Sequence, residues 1–192
     1  MKQERIDILC LCTWREMGGV QNAAARLTRG FIERGYTARL GFLFDHDPKF
    51  KPSIDDYFVV SSSPPEGIGE WTRFTWKCMR EIGGLRPRAT LAFHPLSAVI
   101  GATMTGWQGR FVSRQAWPSD TQRSSTRKLS GLLMPTPLVS ANIAVSNFIA
   151  NSFSAWGPVY RKKTRVIYNE PPRMVEVDDD VAACRARFGM NA

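Results

Sequence analysis

The sequence predicts an α/β domain: a Rossmann-like parallel sheet of about seven strands with helices on both faces. Three observations lead there. Short apolar strand segments alternate with helix-length segments along most of the chain. The composition, 43% hydrophobic and 22% charged over 192 residues, suits one soluble domain that can bury a core. A Gly18-Gly19 pair sits between the first strand and the first helix, where such sheets bring backbone up to a ligand.

Ile6 to Cys12 reads as a buried first strand. Ala23 to Arg34 follows as a helix, with Ala24, Leu27 and Phe31 on one stripe and Gly35 as its stop. Tyr36 to Phe44 is a second strand, ended by Asp45-His46-Asp47-Pro48, and Tyr57 to Val60 a third. Glu70 to Ile82 is a helix with Trp71, Phe74, Cys78 and Ile82 on one side and Arg73, Lys77 and Arg80 on the other; Gly83-Gly84 ends it. Ala89 to Phe93 is a fourth strand, and Leu96 to Thr105 a helix of small residues suited to close packing on the sheet. A fifth strand, Arg110 to Gln115, leads through a polar loop at Trp117-Pro118-Ser119-Asp120 to a helix over Thr121 to Leu133. Asn142 to Val145 is a sixth strand, Asn147 to Trp156 a helix, and Thr164 to Tyr168 a seventh strand. The domain is expected to span 1–169. Residues 170–192, with Glu170-Pro171-Pro172 and the acidic run Asp178-Asp179-Asp180, read as a linker and the opening of a further domain.

Composition narrows the function. No apolar run approaches the roughly 18 to 20 residues of a membrane span, and Ile8 to Leu11 is too short for a signal-peptide core, so the expectation is a cytoplasmic protein. Cys10 and Cys12, two apart in a strand, share a face and read as buried reduced thiols; with Cys78, Cys184, His46 and His94 scattered, no zinc site is expected. The formal charge of +9 suits an anionic partner, but the basic residues are dispersed and no nucleic-acid-binding motif is present, so no nucleic acid is expected.

The stretch Thr13-Trp14-Arg15-Glu16-Met17-Gly18-Gly19-Val20-Gln21 carries the chemistry. Glycines at a helix start allow close backbone approach, and free N–H groups with the helix dipole favour an anion such as a diphosphate. The plainer alternative is a tight turn and nothing more. The Gly-x-Gly-x-x-Gly fingerprint and the Walker loop are both absent.

From the first strand through Gly19-Val20-Gln21 and its helix to Arg34-Gly35-Tyr36, the chain resembles the N-terminal region of family 4 retaining glycosyltransferases, a GT-B family. Arg86-Pro87-Arg88-Ala89-Thr90-Leu91-Ala92-Phe93-His94 resembles its "Pro, apolar strand, His" segment. Ala141-Asn142-Ile143-Ala144-Val145-Ser146 resembles its "Ala-Asp-x-Ile-Ala-Val-Ser" strand, and Arg165-Val166-Ile167-Tyr168-Asn169 its "Val-Ile-x-Asn-Gly" exit into the interdomain linker. The resemblance implies one half of a two-domain GT-B fold. That half chiefly holds the acceptor, a saccharide or a lipid-linked one, and its glycine loop contacts the phosphates of a nucleotide-diphosphate-sugar donor. No cofactor beyond the donor substrate is implied. The family's Glu-x7-Glu pair, which belongs to the donor half, has no counterpart here, so that half is expected in cis or in trans.

Candidate substrate-binding residues are Gly18, Gly19, Gln21, His94 and Gln115. His94, at the end of the fourth strand, can hydrogen-bond a hydroxyl or a phosphate; the plain alternative is a structural His. Gln115 stands where many relatives carry a second His, and an amide orients a hydroxyl but does not titrate near neutral pH. Arg114 alternates to the other face from Gln115. No catalytic residue is assigned. The expected mechanism is electrostatic: phosphate-binding groups stabilise the leaving diphosphate while the acceptor hydroxyl is held close. The alternative function is a non-catalytic Rossmann-like module binding a phosphorylated sugar, lipid or nucleic acid.

Two basic segments have further readings. The Glu70–Ile82 helix either packs by its stripe alone or also lies on an anionic membrane, and exposure of Trp76 beside Lys77 and Arg80 favours peripheral membrane contact. Arg123, Arg127 and Lys128 form a solvated helix face or meet a lipid-diphosphate acceptor.

Overall fold

The computed structural model describes residues 5–121 and 124–169. Seven strands, β1 (Ile8–Arg15), β2 (Ala38–Asp45), β3 (Tyr57–Ser61), β4 (Ala89–Ala92), β5 (Arg110–Gln115), β6 (Ala141–Ala144) and β7 (Thr164–Val166), form one sheet. Its order is β3-β2-β1-β4-β5-β6-β7 and each neighbouring pair is parallel. The connecting helices are α1 (Gly19–Glu33), α2 (Ile68–Glu81), α3 (Pro95–Thr105), α4 (Ser124–Leu133), α5 (Asn147–Ser152) and α6 (Gly157–Lys163). Among the described residues, no helix is long and apolar enough to cross a membrane. The expected linker at 170–192, Cys184 and Arg123 lie outside the described residues.

Strand alternation sorts the core into two layers. Cys10, Cys12, Leu40, Phe42 and Phe93 face Ala24 and Ala25 of α1. Leu9, Leu11 and Leu43 face the other way, into a layer with Phe74, Cys78 and Ile82 at α2, and Phe44 near the end of β2 departs from the alternation to stack on Phe74 in the same layer. The second layer continues under α3 to α6 through Ala92, Ala98, Ala102, Phe111, Ala144, Phe153 and Tyr160. Full burial of each such phenylalanine contributes about 1.5–3 kcal/mol. Helix α3 lies close because it is built of small residues: a Cβ on Gly101 would stand 2.8 Å from the Phe111 ring. The thiols of Cys10, Cys12 and Cys78 are buried, and burial pushes those of Cys10 and Cys78 up to about 12.

Several boundaries differ from the sequence expectation. Strand β1 runs on to Arg15 because Trp14 and Arg15 find register partners in Phe44 and Asp45. The Arg15 guanidinium, 7% exposed, donates to both Asp45 oxygens, at 3.0 and 2.6 Å, and to the Phe50 carbonyl at 3.0 Å. Helix α1 starts at Gly19, and its buried residues are Gln21, Ala24, Ala25 and Thr28, while Leu27 of the expected stripe is 40% exposed. Trp71 of the expected α2 stripe is likewise 44% exposed. The expected helix over Thr121 to Leu133 is a turn at Ser119–Thr121 followed by α4. Beyond α5 the chain makes a turn at Ser154–Trp156; Gly157 at φ +90° ends it, and Pro158 in the first turn starts α6, a helix absent from the sequence expectation.

Candidate functional site

The strand order reverses between β1 and β4, and open α/β sheets bind ligands outside the carboxyl ends of the strands at that point. A crevice of ≈ 560 Å³ lies there. The turn after β1 supplies Glu16, Gly18 and Gly19, and the turn after β4 supplies His94 and Pro95. Four of the five residues singled out from the sequence, Gly18, Gly19, Gln21 and His94, therefore line one space.

Gly18 and Gly19 serve different ends. Gly18 has an extended backbone, φ −169°, that any residue adopts, but a Cβ there would meet Gln21 Oε1 at 2.5 Å. Gln21 is 3% exposed, and its amide donates to Glu16 Oε1 at 3.1 Å and to the Trp14 carbonyl at 3.4 Å. The turn is thus held by a side chain that occupies the space a larger residue at 18 would need. A Cβ on Gly19 would meet nothing within 4 Å, so internal packing does not require glycine there. Gly18 provides no side-chain cap and the first turn of α1 holds no acid, so no capping side chain among the described residues takes up its leading N–H groups, which lie at the crevice.

His94 is 9% exposed and precedes α3. The Thr13 N–H donates to its Nδ1 at 3.3 Å, the Ser97 N–H donates to Thr13 Oγ1 at 3.3 Å, and the His94 N–H donates to Ser97 Oγ at 3.1 Å. These bonds tie the tip of β1 to the start of α3. Trp117 covers the imidazole face, with ring centroids 5.2 Å apart and planes 25° apart. Burial, with the Arg114 charge adding to it, pushes the imidazole down to about 4. The ring is therefore neutral at neutral pH, and since Nδ1 accepts from Thr13, its proton sits on Nε2. His94 meets the crevice as a hydrogen-bond donor.

Gln115, the fifth residue, is not among those that line the crevice. It is 2% exposed, and its amide donates to Ser113 Oγ at 2.8 Å. Arg114 takes the opposite face, as alternation requires: it is 7% exposed, sits over the Phe93 ring at 5.3 Å and donates to Asn169 Oδ1. There it borders a second groove of ≈ 560 Å³ with Arg26, Arg34, Leu91, Ile143 and Tyr168. Its Nη1 has no partner among the described residues.

Sequence reasoning missed Trp14, Glu16 and Trp117, all in the crevice wall. Trp14 and Glu16 fall in the singled-out stretch, where nothing local gives them a role, and Trp117 falls in the polar loop after β5. Proximity to His94, which makes it a wall, is a tertiary fact. Among the described residues the lining contains one carboxylate, Glu16, and no lysine or arginine. Among the described residues, the N-termini of α1 and α3, which both lie there, contribute positive potential. Aromatic faces of Trp14 and Trp117 beside an imidazole, an amide, a carboxylate and hydroxyls suit a sugar ring and its hydroxyls better than a free diphosphate. Arg127 and Lys128 of α4 are not part of this lining, whereas Thr126 is.

Sheet order, the switch-point crevice and the paired helix starts define the class: a Rossmann-like α/β domain. No family model and no curated protein matches the sequence. Among solved structures, the chain is similar to Anabaena Alr3699/HepE in complex with UDP and glucose, at 19% identity and TM-score 0.69, over 96% of this chain and 50% of that one. It is similar to the lipopolysaccharide outer core galactosyltransferase WaaB at 13% identity and TM-score 0.66, over 88% and 50%. It is also similar to the UDP-GlcNAc 2-epimerase of Neisseria meningitidis bound to UDP-GlcNAc, at 13% identity and TM-score 0.58, over 84% and 46%. The chain spans about half the length of these structures, which is one of the two domains of such a fold. At these identities the likeness is one of fold, and the fold is shared by glycosyltransferases and sugar epimerases.

Proposed function

We propose that the chain is the acceptor-side half of a family 4, retaining glycosyltransferase that moves a sugar from a nucleotide-diphosphate donor to a saccharide or lipid-linked acceptor. The observation that carries this reading is the shared crevice: the Gly18-Gly19 turn and His94 border one space at the switch point. The nucleotide-sugar proteins similar in fold support it at a coarser level. In this reading Gly19 admits the donor's phosphates to the first turn of α1, and His94 donates from Nε2 to a sugar oxygen. Trp14 and Trp117 stack on sugar faces. The bond from the anomeric carbon to the diphosphate breaks, the acceptor oxygen bonds to that carbon, and the diphosphate leaves with the electron pair and takes up the proton that the acceptor hydroxyl gives up. Neutral His94, its Nδ1 engaged, orients rather than accepts a proton. Residues 1–169 form the domain and 170–192 lead to the donor half. The work is done on the cytoplasmic side, at the inner face of the cell membrane, with no cofactor and no nucleic-acid partner.

Nucleotide-sugar turnover, measured for this chain alone and with a donor-binding half added, tests the reading. Transfer is expected only in the second case. Full transfer by the 192 residues alone contradicts it. Binding of a phosphorylated sugar with no transfer under either condition favours a non-catalytic module instead.

A further inference from the structure

Helix α2 has a second apolar face that no described residue covers. Its inner face is in the core, with Phe74 and Cys78 buried. At 3.6 residues per turn, Ile68, Met79 and Trp76 fall together on a different arc, and they are 89%, 58% and 58% exposed. Trp71, Thr72 and Thr75 complete one shallow depression with them. A solvated helix face is ordinarily polar, and an exposed apolar patch of this kind marks a contact surface. Its flank is basic. Arg73 and Arg80 follow around the helix beyond Trp76, with the Arg80 guanidinium over the Trp76 ring at 5.1 Å. Of the two α2 acids, Glu81 pairs with Arg80 at 2.7 Å, and Glu70 accepts the Glu66 N–H at 2.8 Å.

We infer that this face of α2 docks on an anionic lipid bilayer, with Ile68, Trp76 and Met79 in the headgroup–acyl boundary and Arg73 and Arg80 on lipid phosphates. The inference deepens the peripheral placement proposed above and stands apart from the sugar-transfer reading. It also has a geometric consequence for the crevice. Helix α2 begins just beyond the carboxyl end of β3, the same edge of the sheet on which the crevice opens. An aromatic ladder leads inward from the patch: Trp71 to Phe74 at 5.8 Å, Phe74 to Phe44 at 5.1 Å, and Phe44 to Trp14 of the crevice wall at 5.1 Å. A bilayer held on α2 therefore lies along the rim where a lipid-borne acceptor would enter.

The test is co-sedimentation of the full chain with phosphatidylcholine vesicles, with and without one-third phosphatidylglycerol, in the absence of any sugar donor. Binding to the anionic vesicles is expected to be at least about ten-fold tighter than to neutral ones. Trp76→Ser with Met79→Ser lowers it about ten-fold, and Arg73→Glu with Arg80→Glu removes the preference for phosphatidylglycerol. Arg161→Glu with Lys162→Glu, on exposed α6 positions, leaves binding within about two-fold. Circular dichroism verifies each variant, and Ile68→Ser replaces any that fails to fold. Absence of wild-type binding overturns the inference, and so do equal losses from the α2 and α6 charge changes. A dimer in sedimentation equilibrium that Trp76→Ser with Met79→Ser dissociates overturns it in favour of a second copy on this face. Vesicle binding is scored without turnover, so its failure and that of the transferase reading are told apart.

Discussion

Gly18 and Gly19 are adjacent and alike on paper, yet substitution should separate them. A methyl at 18 must displace the Gln21 amide, 2.5 Å away, from a buried position where it makes two hydrogen bonds. Gly18→Ala is expected to cost about 1–2 kcal/mol, read from the denaturant midpoint, as those bonds are lost. Gly19→Ala meets nothing and lies at the first helical position, so stability should hold or rise by a few tenths to about 1 kcal/mol. If the proposed function holds, the same change, made in the chain with a donor-binding half added, should weaken nucleotide-sugar binding measurably by calorimetry. His94 supplies a pH signature. Its folded value is about 4 against an ordinary 6.5, so between these the unfolded chain binds a proton that the folded chain excludes. Stability is then full above 6.5 and falls with pH, by roughly 3 kcal/mol once pH drops below about 4. Gln at 94 can still accept from Thr13, so melts of His94→Gln across this window should show a flatter slope than wild type.

At the level of elements, the end of the sheet at β6 and β7 is clipped by one lysine. Lys163 closes α6, and its Nζ donates to the carbonyls of Pro135, Thr136 and Val139 at 3.1, 2.6 and 2.8 Å, joining α6 to the loop that enters β6. Lys163→Met keeps the stem and removes the charged donor from three carbonyls, and a loss of about 2 kcal/mol in chemical denaturation is expected. Phe74 plays the corresponding part in α2. It is 4% exposed and stacked on Phe44 with ring centroids 5.1 Å apart, so Phe74→Ala should cost about 3–5 kcal/mol. Much of this scale was legible in the sequence: each strand lies near its apolar run, and the small-residue reading of α3 fits the Phe111 contact at Gly101. Boundaries were not legible where a partner strand extends an element, as Phe44 and Asp45 extend β1. The buried stripe of α1 shifted from Leu27 to Gln21 and Thr28, because the rest of the sheet face beside it is a groove rather than a packed layer.

For the whole molecule, the formal charge of +9 is not gathered at the crevice, whose described lining has no lysine or arginine. Two helix N-termini supply only about 0.3–1 kcal/mol each to an anion. The isolated chain should therefore bind a nucleoside diphosphate no more tightly than about millimolar, as measured by titration calorimetry. A donor half that brings its own cations should tighten that binding by orders of magnitude. Comparable micromolar affinity with and without the second half would overturn this division of labour.

The order of strands and helices was readable from the sequence because hydrophobic periodicity and glycine turns are local, each set by neighbours a few residues away. The candidate glycine loop and His94 were readable for the same reason, as tips of predicted strands. Their meeting in one crevice was decided only by the tertiary structure, because β1 and β4 are adjacent in the sheet though far apart in the chain. So were the burial of Gln115 outside the crevice lining, the recruitment of Trp14 and Trp117 into it, and the neutral state of His94. Burial, register and stacking are properties of the packed sheet, and no single stretch of residues contains them.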